Sequence, residues 1–163
     1  NSLIIMERKK MIEIHRGVLS SELKDRISEA YFSSIRDMGD SEFSYIENKI
    51  NRKLSMLRSP ASSYLEISLA ELSEPMWLVL QEERERTLFK WSDDVKKLMA
   101  ALHYLCSPDD IIPDYDKDRG YADDAYVVNI FFKEVESKPI LNKIIHQINL
   151  LDEEDDESEE SYF

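Results

Sequence analysis

The stretch DSEFSYIENKINRKLSML, Asp40–Leu57, decides the fold class. Its apolar residues Phe43, Ile46, Ile50, Leu54 and Leu57 recur at steps of three and four. That spacing lines one face of a helix, whereas a strand would need alternation every second residue. It is the clearest amphipathic stripe in the chain, and Asp40 is placed to start it.

The same grammar extends outward in both directions. Upstream, Ser20 or Ser21 can cap a helix carrying Leu23, Ile27, Tyr31 and Ile35, with Gly39 at the position that commonly closes a helix. Downstream, Ser59-Pro60 reads as a cap followed by proline at the first helical position, ahead of Leu65, Leu69 and Leu72. Ser73-Glu74-Pro75 repeats that device and predicts a new helix with Met76, Trp77, Leu80, Leu88 and Phe89, interrupted by the exposed run QEERERT. Ser92 starts the next, with Asp93 and Asp94 in its first turn and a stripe of Val95, Leu98, Met99, Leu102 and Leu105. Tyr121, Ala125, Val128, Phe132 and Val135 mark another. Ser137 and Pro139 then open a last helix bearing Ile140, Ile144 and Ile148. No strand alternation and no internal repeat is evident. The expected architecture is all-α, a compact bundle of about six or seven helices joined by short loops.

Composition agrees. Hydrophobic residues make up 42% of the 163 residues, enough for a sizeable core, and only three Gly and five Pro interrupt helices. No window approaches the roughly 18 apolar residues of a membrane span. The opening run Leu3 to Met6 is too short for a signal-peptide core of about 7–15 residues. Cys106 is the single cysteine, so no internal disulfide can form. These features predict a soluble, cytoplasmic protein. The formal charge of −13 is concentrated at one end: residues 152–163 carry eight acidic side chains and no basic one. An acidic surface repels phosphate backbones, which argues against direct nucleic-acid binding. One domain over residues 1–151 is expected, followed by the acidic tail 152–163. Such a like-charge block reads as disordered or as a frayed extension of the last helix.

The segment SPDDIIPDYDKDRGYADD, residues 107–124, packs seven aspartates, two prolines and a glycine into eighteen residues. The run around it resembles the YkvA-like family, a widespread bacterial domain. That family's hallmark reads approximately Y-L-x-S-P-x-D-L-I-P-D followed by G-x-x-D-D. Tyr104, Leu105, Ser107, Pro108, Asp110, Ile111, Ile112, Pro113, Asp114, Gly120, Asp123 and Asp124 fall on those positions, within residues 97–130. In the family the interval before the glycine is commonly apolar, which leads many members to be read as membrane proteins. Here it holds Asp116, Lys117, Asp118 and Arg119. Placing charged side chains in hydrocarbon costs about 2–3 kcal/mol each even on lenient scales, so insertion of this tip in a bilayer is not expected.

Two accounts of the segment use the same atoms. In the structural one, Ser107 or Asp109 caps a turn that carries Pro108, Pro113 ends it, and Gly120 admits the chain to the next helix. Asp123 and Asp124 then lie in that helix's first turn, so the whole is a corner between two antiparallel helices. In the chemical one, Asp110, Asp114, Asp123 and Asp124 converge on one point, a hard-oxygen set suited to Mg²⁺, Mn²⁺ or Ca²⁺, and a metal-dependent phosphate-ester hydrolase follows. The corner is the favoured account, because capping aspartates are common and buried carboxylate clusters are costly.

Other reactive residues lack a constellation. His15, His103 and His146 are scattered, and His103 and Cys106 read as core or boundary residues, as do Trp77 and Trp91. Arg8-Lys9-Lys10 is the one basic cluster. No Gly-rich phosphate loop, Cys/His zinc pattern or G-x-S-x-G occurs. The functional expectation is therefore a non-enzymatic interaction or regulatory module for a basic protein partner. Its contacts would be made by Asp152, Glu153, Glu154, Asp155, Asp156, Glu157, Glu159 and Glu160. Self-association stays open.

Overall fold

A computed structural model describes residues 11–86, 90–108, 111–112 and 120–160, with the side chains of 155–160 excepted. Six α-helices are present among the described residues: α1 Ser21–Ser34, α2 Asp40–Leu57, α3 Tyr64–Arg86, α4 Asp93–Cys106, α5 Ala122–Glu134 and α6 Pro139–Glu160. A 3-10 turn, Ile35–Asp37, joins α1 to α2. No strand occurs among the described residues, and the fold is the expected all-α bundle.

The stripes read from spacing are the ones that are buried. All five of Phe43, Ile46, Ile50, Leu54 and Leu57 lie in the core, as do Val95, Leu98, Met99, Leu102 and Leu105. Helix α4 is the hub, packing against α1, α2, α3 and α5. Two phenols fasten it: Tyr31 of α1 donates to the Lys97 carbonyl at 2.9 Å, and Tyr45 of α2 to that of Cys106 at 3.4 Å. Tyr31 is fully buried, and burial first, then the charge of Glu134, raises its pKa and keeps the donor proton in place. Side-chain caps open α1 and α4 at serines the sequence pointed to. Ser20 Oγ accepts from the Leu23 amide at 3.1 Å, and Ser92 Oγ from that of Val95 at 3.4 Å.

Three local expectations are corrected. Gly39 does not close α1; its φ of −163° is extended, and it stands immediately before α2. Left-handed backbone occurs at Gly17, φ 87°, in a turn where the Val18 amide meets the His15 carbonyl at 3.2 Å. Pro60 does not start a helix. Ser63 does the capping, its Oγ accepting from the Glu66 amide at 3.3 Å and donating to the Glu66 carboxylate at 3.0 Å. The cap has S-x-x-E spacing, with the glutamate meeting the serine hydroxyl, and lies three residues further on than the proline signal. Pro75 opens nothing either; it lies inside the 23-residue α3. An interior proline costs about 3 kcal/mol. Leu69, Leu72, Met76, Trp77, Val79 and Leu80 are buried around it, at about 1.5–3 kcal/mol each, so packing outweighs the lost hydrogen bond. Leu88 and Phe89 lie outside the described residues.

Helix α6 lies on α3. Lys143 pairs with Glu83, and the Gln147 amide donates to Glu82 at 2.7 Å. Further along, Ile148 and Leu151 share a depression with Leu72, so the two helices run antiparallel. Glu82 and Glu83, which the sequence placed on a solvated run, are thus seam residues. In the same last turns of α3, Arg84 reaches Asp40 at 2.9 Å, its guanidinium carbon 5.0 Å from the Phe43 ring centre and 5.7 Å from that of Trp91. Trp91 Nε1 donates to the same Asp40 oxygen at 2.9 Å. One carboxylate and two rings therefore hold the arginine where the chain turns toward α4. Replacing Arg84 by Ala is expected to lower stability by about 1 kcal/mol, the sum of a partly exposed ion pair and a cation–π contact. Lys should restore little of it, since the planar fork is lost. Thermal melts of the two variants check this; a Lys variant indistinguishable from the native chain would show that only the charge matters.

Candidate functional site

The corner is the first candidate. Helix α4 ends at Cys106, and the Ser107 amide donates back to the Tyr104 carbonyl at 3.2 Å. Ser107 is half-buried and Pro108 exposed. Ile112 is buried and Ile111 half-buried, so the corner sends aliphatic side chains inward. Gly120 is a buried turn residue, and α5 begins two residues later.

Asp123, in the first turn of α5, connects these pieces. Its Oδ2 accepts from the Tyr104 hydroxyl at 2.8 Å and from the Ile112 amide at 3.3 Å. One carboxylate oxygen thus joins the last turn of α4, the corner and the start of α5. Asp123 is fully buried, and Asp124 beside it is 1% exposed. Burial raises the pKa of Asp123. The Tyr104 hydroxyl and the amides of Ile112, Asp124 and Asp123 pull the other way without cancelling that rise. Asp123 Oδ1 has no hydrogen-bond partner among the described residues.

Of the four carboxylates expected to converge, Asp123 and Asp124 are therefore neighbours in a buried place. Asp109, Asp110, Pro113, Asp114 and the charged run 115–119 lie outside the described residues. No group of three or more His, Cys, Asp or Glu able to hold a metal occurs among the described residues. Cys106 is buried and takes part in no disulfide. His103 is half-buried with its ring centre 5.0 Å from that of Tyr45, and burial lowers its pKa against the pull of Glu42. Trp77 is buried and Trp91 packs at the edge of the core.

A second candidate is the end of α6. Of the two expectations for the acidic tail, disorder and an extension of the last helix, the helix is the one seen, running past Leu151 to Glu160. Asp152, Glu153 and Glu154 are exposed. The backbone of Asp155, Asp156, Glu157, Glu159 and Glu160 continues the same helix. At 1.5 Å per residue, residues 152–160 add about 14 Å of helix beyond the core. Arg8-Lys9-Lys10, Tyr162 and Phe163 lie outside the described residues.

Spacing did not reveal Asn129. On the buried side of α5, its Oδ1 accepts from the Ile12 amide at 2.6 Å and its Nδ2 donates to the Ile12 carbonyl at 2.9 Å. Both backbone groups of one residue are satisfied by one amide side chain, which straps residues 11–19 over the bundle. The only sequence signal was a polar residue among apolar neighbours in a helix.

No family model, curated protein or solved structure matches this chain. The YkvA-like resemblance rests on the corner motif. No helix among the described residues is long and apolar enough to cross a membrane.

Proposed function

We propose that the protein is an interaction module that holds a basic partner through the acidic end of α6. The observation that carries this is the continuation of a helix for nine residues past Leu151, beyond its last core position Ile148, in a segment whose charges are all negative. Such a helix is unfavourable in isolation. Negative charge at a helix C-terminus opposes the macrodipole by about 0.3–1 kcal/mol per group near the end. Like charges at i,i+4, such as Asp152/Asp156 and Glu153/Glu157, cost a further ~0.2–0.5 kcal/mol each. A cationic surface reverses both penalties, so the helix is stabilised by binding, and the gain is electrostatic and screened by salt.

A Lys/Arg-rich peptide titrated against the full chain tests this. Binding is expected to weaken steeply with salt and to fall at least tenfold, about 1.4 kcal/mol, on deletion of residues 152–163. Hydrogen exchange of the amides of residues 152–160 should slow on binding. Equal affinity with and without those residues would end the proposal.

A further inference from the structure

The surface of α3 over residues 64–72 has a wall on each side. On one side the strap brings Met11, Ile12 and Glu13 against Tyr64, Ser68 and Leu72. On the other, α6 brings Ile148, Leu151 and Asp152 against Leu72. Because α6 is antiparallel to α3, its acidic continuation heads toward the Tyr64 end of this surface. Large apolar side chains stand open there: Tyr64 is 75% exposed, Met11 55% and Ile67 41%, with Ile67 one helical turn from Tyr64. Asp152, Glu153 and Glu154 are exposed, as is Glu13.

The ten residues that precede Met11 are complementary to this surface. They read NSLIIMERKK, an apolar run over residues 3–6 and then Arg8-Lys9-Lys10. An extended chain spans at most about 3.3–3.6 Å per residue, so Leu3 reaches up to about 27 Å from Met11 and Arg8 up to about 10 Å. Residues 64–72 of α3 occupy only about 12 Å. The segment therefore begins beside the exposed apolar side chains, with length to spare for crossing α3 toward α6.

We infer that residues 1–10 dock on this surface of α3. Residues 3–6 cover Tyr64 and Ile67, and Arg8-Lys9-Lys10 face Asp152, Glu153 and Glu154. The contact gives the acidic helix end a counter-charge from within the chain. Anchoring α6 on α3 removes the nucleation cost of that end but not its internal repulsion. The segment is then a built-in competitor of a basic partner, because tethering holds its cations at a roughly millimolar effective concentration. The competition rests on the basic-partner proposal; the contact itself does not.

Two variants of the full chain separate the parts. Arg8→Gln with Lys9→Gln and Lys10→Gln removes the cations, and Ile4→Ser with Ile5→Ser removes apolar surface without changing any charge. Each is expected to bind a Lys/Arg-rich peptide at least threefold tighter than the native chain. A spin label at Ser2→Cys, with Cys106 buried, should broaden the amide signals of residues 64–68 and 152–156, and both sets of substitutions should relieve that broadening. Tighter binding by the Gln variant alone would be an effect of net charge and would overturn the docking. Broadening that neither variant changes would overturn it too. Broadening passed from a labelled chain to an unlabelled one in a mixed sample would place the contact between copies and overturn the internal occupant. Failure of every chain to bind the peptide would overturn the basic-partner proposal and with it the competition, while the label still decides the contact.

Discussion

Replacing Asn129 by Leu is expected to destabilise the protein by about 2–4 kcal/mol. The substitution leaves the Ile12 amide and carbonyl without the partners they have at 2.6 and 2.9 Å. A buried backbone group stripped of its partner costs about 1–3 kcal/mol. The strap has an alternative, which is to leave the bundle and hydrate both groups. It then exposes Ile12 and Leu19, which are 4% and 5% exposed in the native fold. Losing two aliphatic side chains from the core costs about 1.5–3 kcal/mol each, so release is no cheaper than the broken bonds. Asp at 129 should not rescue, since it cannot donate to the Ile12 carbonyl and adds a buried charge. Urea denaturation gives the global cost, and hydrogen exchange of the Ile12 amide gives the local one. Full protection of that amide in the Leu variant would show that the strap is held by packing alone.

Asn129 also marks the limit of what spacing reveals. Its partner Ile12 is 117 residues away, and nothing local to either residue encodes the pairing. The stripes of α2 and α4 were legible because burial of a helix face is a periodic, local property, and every position of both is buried. In α1 the step of four found Ile27 and Tyr31 in the core but left Leu23 and Ile35 half-buried, since a strict step of four drifts around a helix of 3.6 residues per turn. Pro75 misled because the rule for proline is local and its exception is tertiary. A helix walled by buried side chains on both sides of the proline survives its missing hydrogen bond. Ser63 was readable as a cap from its S-x-x-E spacing, but the stronger-looking Ser59-Pro60 drew the boundary forward.

The acidic end of α6 shows the same tension. Charge repulsion within residues 152–160 predicts fraying, and the helix continues regardless. Its preceding turns are clamped on α3 by Ile144 and Ile148 and by the contacts of Lys143 and Gln147 with Glu83 and Glu82. Elongation from an anchored helix avoids the nucleation cost that an isolated acidic peptide would face. At the corner, the spacing put Asp123 at the start of a helix, where it is. That its carboxylate reaches back 19 residues to Tyr104 was not legible, because the partner is set by how α4 and α5 cross.

Asp123 carries the other large expected effect, and it depends on which residue replaces it. Asp123→Ala removes the acceptor of both the Tyr104 hydroxyl and the buried Ile112 amide, for a loss of about 2–4 kcal/mol. Asp123→Asn keeps an oxygen in the same place and removes the charge. The two variants therefore move apart, and pH shows why. Burial raises the carboxyl pKa of Asp123 above its ordinary 3.8, so over the window just above that value the folded chain keeps a proton that the unfolded chain has released. A folded state that binds more protons loses stability as pH rises. The stabilising contribution is complete below the unfolded pKa and is lost as pH climbs through the folded one. Native and Asn chains should be closest in stability near pH 4, with the Asn chain gaining relative to native from there to pH 7 in chelator-containing buffer. Addition of Mg²⁺, Mn²⁺ or Ca²⁺ should leave the native melting temperature unchanged. A rise with one of these ions, absent from the Asn variant, would show instead that the charge of Asp123 is kept to hold a cation. A corner stapled by a single oxygen predicts the opposite, since it needs the acceptor and not the charge.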